Sequence, residues 1–164
     1  MSIDVLSALA LFALITSITP GPNNLMLMAS GANFGFARTV PHMLGITLGF
    51  MVMLLLVGFG LIRVFDAFPI IYTVLKLLSL IYLIYLAYKI ATAAPVQTAD
   101  PNAKPLSFLQ AAGFQWVNPK AWAFGLSVIT IYVPSAGILP LVITALVVAV
   151  MALPSVTLWT LLGG

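Results

Sequence analysis

The feature that most constrains this chain is the near absence of charge from its long apolar runs. Only 5% of the 164 residues are Asp, Glu, Lys or Arg, 63% are hydrophobic, and the mean hydropathy is +1.21. Soluble domains carry roughly a quarter charged residues, which keep their surfaces dispersed in water. Lipid must therefore surround most of these side chains, and the composition predicts an integral membrane protein with the lipid bilayer as its main partner.

The same composition excludes several classes of function. The chain has no cysteine, so disulfides, thiolate metal sites and cysteine nucleophiles are excluded. His42 is the one histidine, which rules out metal centres built from several histidines. The six Lys and Arg residues are scattered, so no nucleic-acid partner is expected despite the net charge of +3. We expect no enzyme activity, no catalytic residue, no metal and no cofactor.

Five apolar segments are long enough to cross a bilayer, which takes about 20 residues in a helix. None shows the alternation of a transmembrane strand, so helices are favoured over a barrel. The predicted fold class is an all-α polytopic membrane protein with five transmembrane helices. These helices cover residues 3–34, 41–62, 69–91, 108–132 and 138–162.

The distribution of cations predicts how the helices are oriented. Asp4 stands where a signal peptide has basic residues, so the first helix is expected to remain uncleaved. The first and third loops hold Arg38, Lys89 and Lys104, whereas the second loop holds Arg63. The positive-inside rule then places the N-terminus outside, and it places the polar linker at 94–105 in the cytoplasm.

Two of the predicted helices contain proline breaks. Pro20, Pro22 and Pro119 lack the N–H group that would bond the carbonyl four residues earlier. An unpaired carbonyl in hydrocarbon costs several kcal/mol, so such breaks persist where protein, water or a ligand satisfies them. Transporters place broken helices near the membrane midplane, where zwitterions and coupling ions bind. A plain proline kink is the alternative, and we favour it for Pro154.

The chemistry at the breaks favours a zwitterionic ligand. The N–H groups of Asn23, Asn24 and Leu25 open a half-helix and attract anions, while the carbonyls before each break attract cations. Lys120 within a span costs ~2.5–3.5 kcal/mol on insertion scales, and a substrate carboxylate is its candidate partner. Snorkelling to the membrane interface is the alternative for Lys120, and equally for Lys76.

Other features are predicted to serve packing. The pairs Gly31/Gly35 and Gly45/Gly49 have the G-x-x-x-G spacing that lets apolar helices approach closely. His42 follows a proline at the entrance of a span, so we expect an interface residue rather than a proton relay. The three tryptophans are either interface residues or cavity walls.

Motifs in all five predicted spans resemble the lysine/threonine exporter family (LysE/RhtB). The third span departs from the family at Ser79 and Leu80, where glycine and alanine are usual. The resembling motifs are Thr19-Pro20-Gly21-Pro22-Asn23 with the glycines at 35, 45 and 49; Lys76 with Tyr82-Leu83 and Tyr85-Leu86; Phe114-Gln115-Trp116-Val117-Asn118-Pro119-Lys120-Ala121-Trp122; and Pro154-Ser155 with Trp159 and Gly163.

The resemblance implies a secondary transporter that exports amino acids or closely related metabolites across the bacterial plasma membrane, driven by cation or proton exchange. The family has six spans in two inverted three-helix repeats. Residues 1–93 then form the first repeat and 106–164 an incomplete second repeat that lacks the sixth helix. We expect a fragment or a natural truncation, and the alternative is a homodimer in which a second chain fills the gap.

The candidate substrate-binding residues come from the two breaks and the third span. Lys76 is included because it shares one helix face with Tyr72 and Ser79. The full set is Thr19, Pro20, Gly21, Pro22, Asn23, Asn24, Lys76, Gln115, Asn118, Pro119 and Lys120.

Three rival functions follow from the same residues. A non-transporting, truncated membrane subunit is favoured by the missing span. An intramembrane enzyme is disfavoured because no nucleophile–base pair and no carboxylate dyad are apparent. A metal-ion exporter is disfavoured because acidic or histidine ligands are not found in the middle of a predicted span.

Overall fold

A computed structural model describes residues 1–61, 67–91, 104–133 and 137–164 of the chain. These residues are helical and contain no strand, which confirms the all-α class. The elements are α1 (Ile3–Ile18), α2 (Pro22–Leu56) with a π-helical turn (Val57–Leu61), α3 (Ile70–Ala91), α4 (Phe108–Phe114) with a 3₁₀ turn (Gln115–Val117), α5 (Pro119–Tyr132) and α6 (Ile138–Leu161).

The described helices are suited to a membrane. Pro22–Gly60 and Ile138–Leu161 are long and apolar enough to cross a bilayer, and α1 is a shorter apolar helix of 16 residues. The count of five spans and the pair of inverted repeats stay predictions. So does the division at 94–105, because most of that linker lies outside the described residues, as does Arg63.

Gly35 divides α2 into two helical parts. Its φ of 76° and ψ of 168° lie where residues with a side chain are rarely found. This break fits the predicted end of the first span near Phe34. The expected start of the second span at Pro41 was wrong, because the helix resumes directly after Gly35 and continues through Pro41. A proline so near a helix start removes one backbone hydrogen bond without ending the helix.

Small residues bring α2 close to its neighbours. A Cβ at Gly31 would collide with the carbonyl of Thr160 in α6, and a Cβ at Gly45 or Gly49 would collide with the backbone of α4. The packing role predicted for these three glycines is confirmed. It was wrong for Gly35, which has no atom within 4 Å of its Cβ position and serves as the hinge instead.

Four helices share a buried core beside the breaks. Its members include Leu9 of α1, Phe50 and Leu54 of α2, Val128 of α5 and Val148 of α6. This core fixes α1 against α5 and α6, so the ends of the broken helices are held in place. A second buried cluster joins α2 to α4 and α6.

His42 is buried, with 1% of its surface exposed. The expectation of an interface residue was therefore wrong. Proline at the preceding position suggested a helix start at the membrane surface, but the helix begins earlier, directly after Gly35, and carries His42 into the protein.

Candidate functional site

The first break lies between α1 and α2. The last turn of α1 closes with Thr19, whose N–H and hydroxyl both donate to the carbonyl of Ile15, at 3.1 and 2.7 Å. Gly21 is fully extended and caps α2, with Pro22 as the first helical residue. Proline fits this position because its missing N–H would have no partner in the first turn.

Asn24 folds back from α2 onto the end of α1. Its side-chain amide donates to the carbonyls of Ser17, at 2.9 Å, and Thr19, at 2.8 Å. The residue is 5% exposed. One amide therefore pairs two of the carbonyls that the break leaves outside the helical ladder, and it fixes the angle between the two helices.

Residues of α6 pair further carbonyls at the end of α1. The hydroxyl of Ser155 donates to the carbonyl of Ser17 at 2.7 Å, and the indole N–H of Trp159 donates to that of Ile18 at 3.0 Å. The Ile18 carbonyl is the one that Pro22 cannot bond. Trp159 therefore has a defined role at the break that the sequence left open.

The second break lies between α4 and α5. After the 3₁₀ turn, Asn118 is extended, and its side-chain oxygen accepts the N–H of Lys120 at 3.1 Å. This is the usual cap of a helix N-terminus, with Pro119 as the first helical residue. Asn118 is 1% exposed, so the cap is formed inside the protein.

The two breaks meet through their side chains. Asn23 and Gln115, which are 92 residues apart, exchange two amide hydrogen bonds of 2.9 and 3.2 Å. Gln115 is fully buried and also donates to the carbonyl of Ala111 at 2.9 Å. The ammonium of Lys120 donates to the carbonyl of Thr19. Residues predicted separately at two breaks therefore lie together in the fold.

An open cavity of about 580 Å³, counted with the space open to solvent, lies where the breaks meet. Six of the predicted site residues line it: Gly21, Asn23, Asn24, Gln115, Asn118 and Lys120. Thr19, Pro20, Pro22 and Pro119 are their neighbours in the chain, within the two breaks. Lys76 lies in α3, and its side chain is outside the described part of the chain.

Sequence reasoning missed eleven lining residues. They come mostly from one face each of α2, α5 and α6, and sequence alone does not show which face of a uniformly apolar helix looks inward. A run of small residues at helical spacing in α6, at 149, 152 and 155, was the available signal. The missed residues are Thr16, Ser17, Ile46, Thr47, Phe50, Ala121, Phe124, Ala149, Ala152, Ser155 and Val156.

The charges and dipoles at the site suit a small ligand with both signs of charge. Lys120 is the one charged residue among the described residues that line the cavity. The N-termini of α2 and α5 add partial positive charge. The N–H of Leu25, expected to face an anion, instead bonds the carbonyl of Gly21 at 3.0 Å. The end of α1 contributes a cluster of carbonyls, already paired by side chains of the protein.

A helical membrane protein with a cavity between two broken helices, lined by polar groups at the breaks, has the architecture of a secondary transporter. Comparison with known families agrees, since the profile described as LysE type translocator matches residues 14–163. The chain belongs to this family. Its members are transporters rather than enzymes, and the resemblance seen in the sequence motifs is confirmed.

Curated relatives are efflux proteins. The chain is 34% identical over 134 residues to the cysteine/O-acetylserine efflux protein of Salmonella typhimurium strain LT2, covering 79% of this chain and 66% of the relative. It is 32% identical over 136 residues to the protein of the same name in Escherichia coli strain K12, covering 81% and 68%. The matched part is thus about two thirds of the relatives' length. No solved structure matches the chain significantly.

Proposed function

We propose that this chain forms the substrate-binding part of an amino-acid efflux transporter in a bacterial plasma membrane. The proposal rests mainly on the contact between the two helix breaks at one cavity. There the side chain of Asn23 is hydrogen-bonded to that of Gln115, and the Lys120 ammonium donates to the Thr19 carbonyl. The names of the relatives support a small amino acid, of the kind represented by cysteine and O-acetylserine. The chain would cross the membrane several times.

In this proposal the cavity binds a zwitterion by exchange of partners. The Lys120 ammonium is bonded to the Thr19 carbonyl at the negative end of α1. A substrate carboxylate attracts the ammonium more strongly than a neutral carbonyl does. As Lys120 moves to the carboxylate, the Thr19 carbonyl keeps its hydrogen bond from Asn24 and accepts the substrate ammonium in place of the lysine. Before substrate binds, the lysine ammonium thus occupies the position at the Thr19 carbonyl that the substrate ammonium takes later.

Transport would follow from relative movement of the two halves of the chain about this site. The broken helices belong to different halves, and the substrate contacts both, so its binding alters the contact between them. Exchange against protons or another cation would drive export. An imposed pH gradient should then accelerate export from vesicles, and a protonophore should remove that acceleration.

The deciding experiment measures efflux of a panel of amino acids from cells loaded with dipeptides. The chain, its Lys120→Met variant and an empty vector are compared at equal membrane abundance. We expect the chain to lower intracellular cysteine or O-acetylserine and the variant to match the vector, because methionine keeps the length of lysine without the charge. Unaltered export by Lys120→Met would overturn the role of this residue.

A second arm separates a failure of the site from the need for further helices. In it, the chain is fused to the C-terminal remainder of the Escherichia coli relative. Export by the fusion alone means that the site is correct and that more of the protein is required. If neither form exports any member of the panel while the intact relative does, the chain is a non-transporting membrane subunit and the proposal is wrong.

A further inference from the structure

The cavity has a polar end at the breaks and an apolar end along the helices. On α6, Ser155 contacts the end of α1, while Ala152 and Ala149 line the cavity one and two turns before it. On α5, Lys120 lies at the second break and Phe124 lines the cavity one turn later. A ligand anchored at the breaks therefore directs the rest of its structure toward these apolar residues.

Two stacked phenylalanines form a wall at the apolar end. The rings of Phe50 and Phe124 are 5.1 Å apart and inclined by only 7°. Phe12 does not line the cavity, and its ring packs edge-to-face with that of Phe124, with 5.8 Å between the ring centres. Phe50 is 8% exposed and belongs to the buried core. This support on several sides makes the wall a fixed boundary.

The distance between the two ends limits the length of a bound side chain. Phe124 lies four positions after Lys120, which corresponds to a rise of about 6 Å along α5. Carbon–carbon bonds of about 1.5 Å allow a side chain of about four heavy atoms within that length. The alanines at 121, 149 and 152 leave space beside a bound side chain, since each contributes only one methyl group to the lining.

The apolar end also selects against charge. Among the described residues that line the cavity there is no carboxylate, and the nearest formal charge is the cation of Lys120. Thr47 is a polar residue in the lining from α2, and its hydroxyl is already bonded to the carbonyl of Met43 at 3.0 Å. A basic or acidic side chain would therefore be buried here without a counter-ion, which is costly.

We propose that Phe50 and Phe124 determine substrate specificity by closing a subsite for a short, uncharged side chain. The inference rests on the proposed function and deepens it, because it assigns the side-chain end of a cavity whose other end holds the charged groups. Removing either ring should admit longer neutral side chains, and enlarging an alanine of the cavity lining should reduce export of the longer accepted substrates most.

The test compares export ratios among neutral amino acids of increasing length and lysine. Phe50→Ala and Phe124→Ala should each raise export of phenylalanine, whose side chain is longer than about four heavy atoms, relative to cysteine roughly tenfold, the scale of discrimination that an apolar pocket provides. Lysine should remain excluded. Ala152→Leu should lower export of O-acetylserine more than export of cysteine. If the alanine variants fail to fold, Phe50→Leu and Phe124→Leu replace them in the same measurement.

Phe36→Ala is the matched control, because it removes an exposed ring of α2 that neither lines the cavity nor belongs to the core around the wall. Its export ratios should equal those of the parent chain. Equal ratios in the wall variants and in Ala152→Leu, with only total export changed, would overturn the inference and leave the proposed function intact. Absence of export of every amino acid by the parent, in both forms described above, would instead refute the proposed function, and the subsite with it.

Discussion

Gly21 lies against the side chain of Lys120. A Cβ at this position would lie 2.7 Å from Cδ and 3.1 Å from Nζ of the lysine. Because the Gly21 backbone is extended, with φ of −170°, alanine fits without strain and the flexible lysine must move instead. We expect Gly21→Ala to misplace the Lys120 cation, which we propose holds the substrate carboxylate, and to raise the half-saturating substrate concentration roughly tenfold, since a charged hydrogen bond contributes ~1.5–3 kcal/mol.

Gly113→Ala is the control for this prediction, because no atom outside its own helix lies within 4 Å of a Cβ there. Concentration-dependent uptake into inverted vesicles would measure both variants. The assignment of Lys120 fails if Gly21→Ala keeps the affinity of the parent chain while the protein is folded and abundant.

At the residue scale, the breaks themselves were predictable and their partners were not. Pro20, Pro22 and Pro119 lack an N–H group, and this covalent fact shows which carbonyls leave the helical ladder. Which side chains then pair those carbonyls depends on tertiary packing. Trp159 meets Ile18 across 141 residues of chain, and local sequence carries no trace of that contact.

At the scale of helices, α6 stabilises the broken end of α1. Ser155 and Trp159 each donate to a carbonyl there. Ser155→Ala leaves the carbonyl of Ser17 with one donor, and Trp159→Phe leaves the Ile18 carbonyl without the indole. We expect each substitution to cost about 1 kcal/mol, the net contribution of a typical hydrogen bond. Thermal unfolding in detergent measures both.

Ser127→Ala provides the matched comparison. Its hydroxyl also donates to a carbonyl at 2.8 Å, but that carbonyl belongs to Ala123 in the same helix. Its removal should leave the unfolding temperature nearly unchanged. Equal unfolding temperatures for Ser127→Ala, Ser155→Ala and Trp159→Phe would show that α6 does not support the break.

Helix boundaries were predictable where a residue type dictates them, and less so where packing does. Asn118 with Pro119 is a strong start signal, and α5 begins there. Gly35 was assigned to packing because of its spacing from Gly31, yet its φ of 76° makes it a hinge. The spacing of glycines predicts a helix face without side chains, but it does not predict at which glycine the helix is interrupted.

At the scale of the whole molecule, the class and the family followed from features spread over the entire chain. Scarcity of charge and long apolar runs require a membrane, and motifs in several spans resemble one family. The contact between the two breaks could not be predicted from the sequence, because it depends on how helices from the two halves of the chain pack. The pair Asn23 and Gln115 is the product of that packing.

The contact between α1 and α5 allows a test of movement between the two predicted halves. The hydroxyl of Tyr132 lies 3.5 Å from the carbonyl of Ala8, and the ring of Tyr132 lies 5.8 Å from that of Phe12. Neither Ala8 nor Tyr132 lines the cavity. Since the chain has no cysteine, an Ala8→Cys/Tyr132→Cys double variant offers two unique thiols for a short bridging reagent.

If export requires the halves to rock about the site, bridging these thiols should stop most of it, and reduction should restore it. The control pair Ala123→Cys/Ser127→Cys lies within α5, one turn apart, so its bridge restrains no movement between halves and export should continue. Each single-cysteine variant with the same reagent reports any effect of modification alone. Continued export by the bridged Ala8–Tyr132 variant would mean that α1 and α5 move as one body, and that access to the cavity alternates through another part of the molecule.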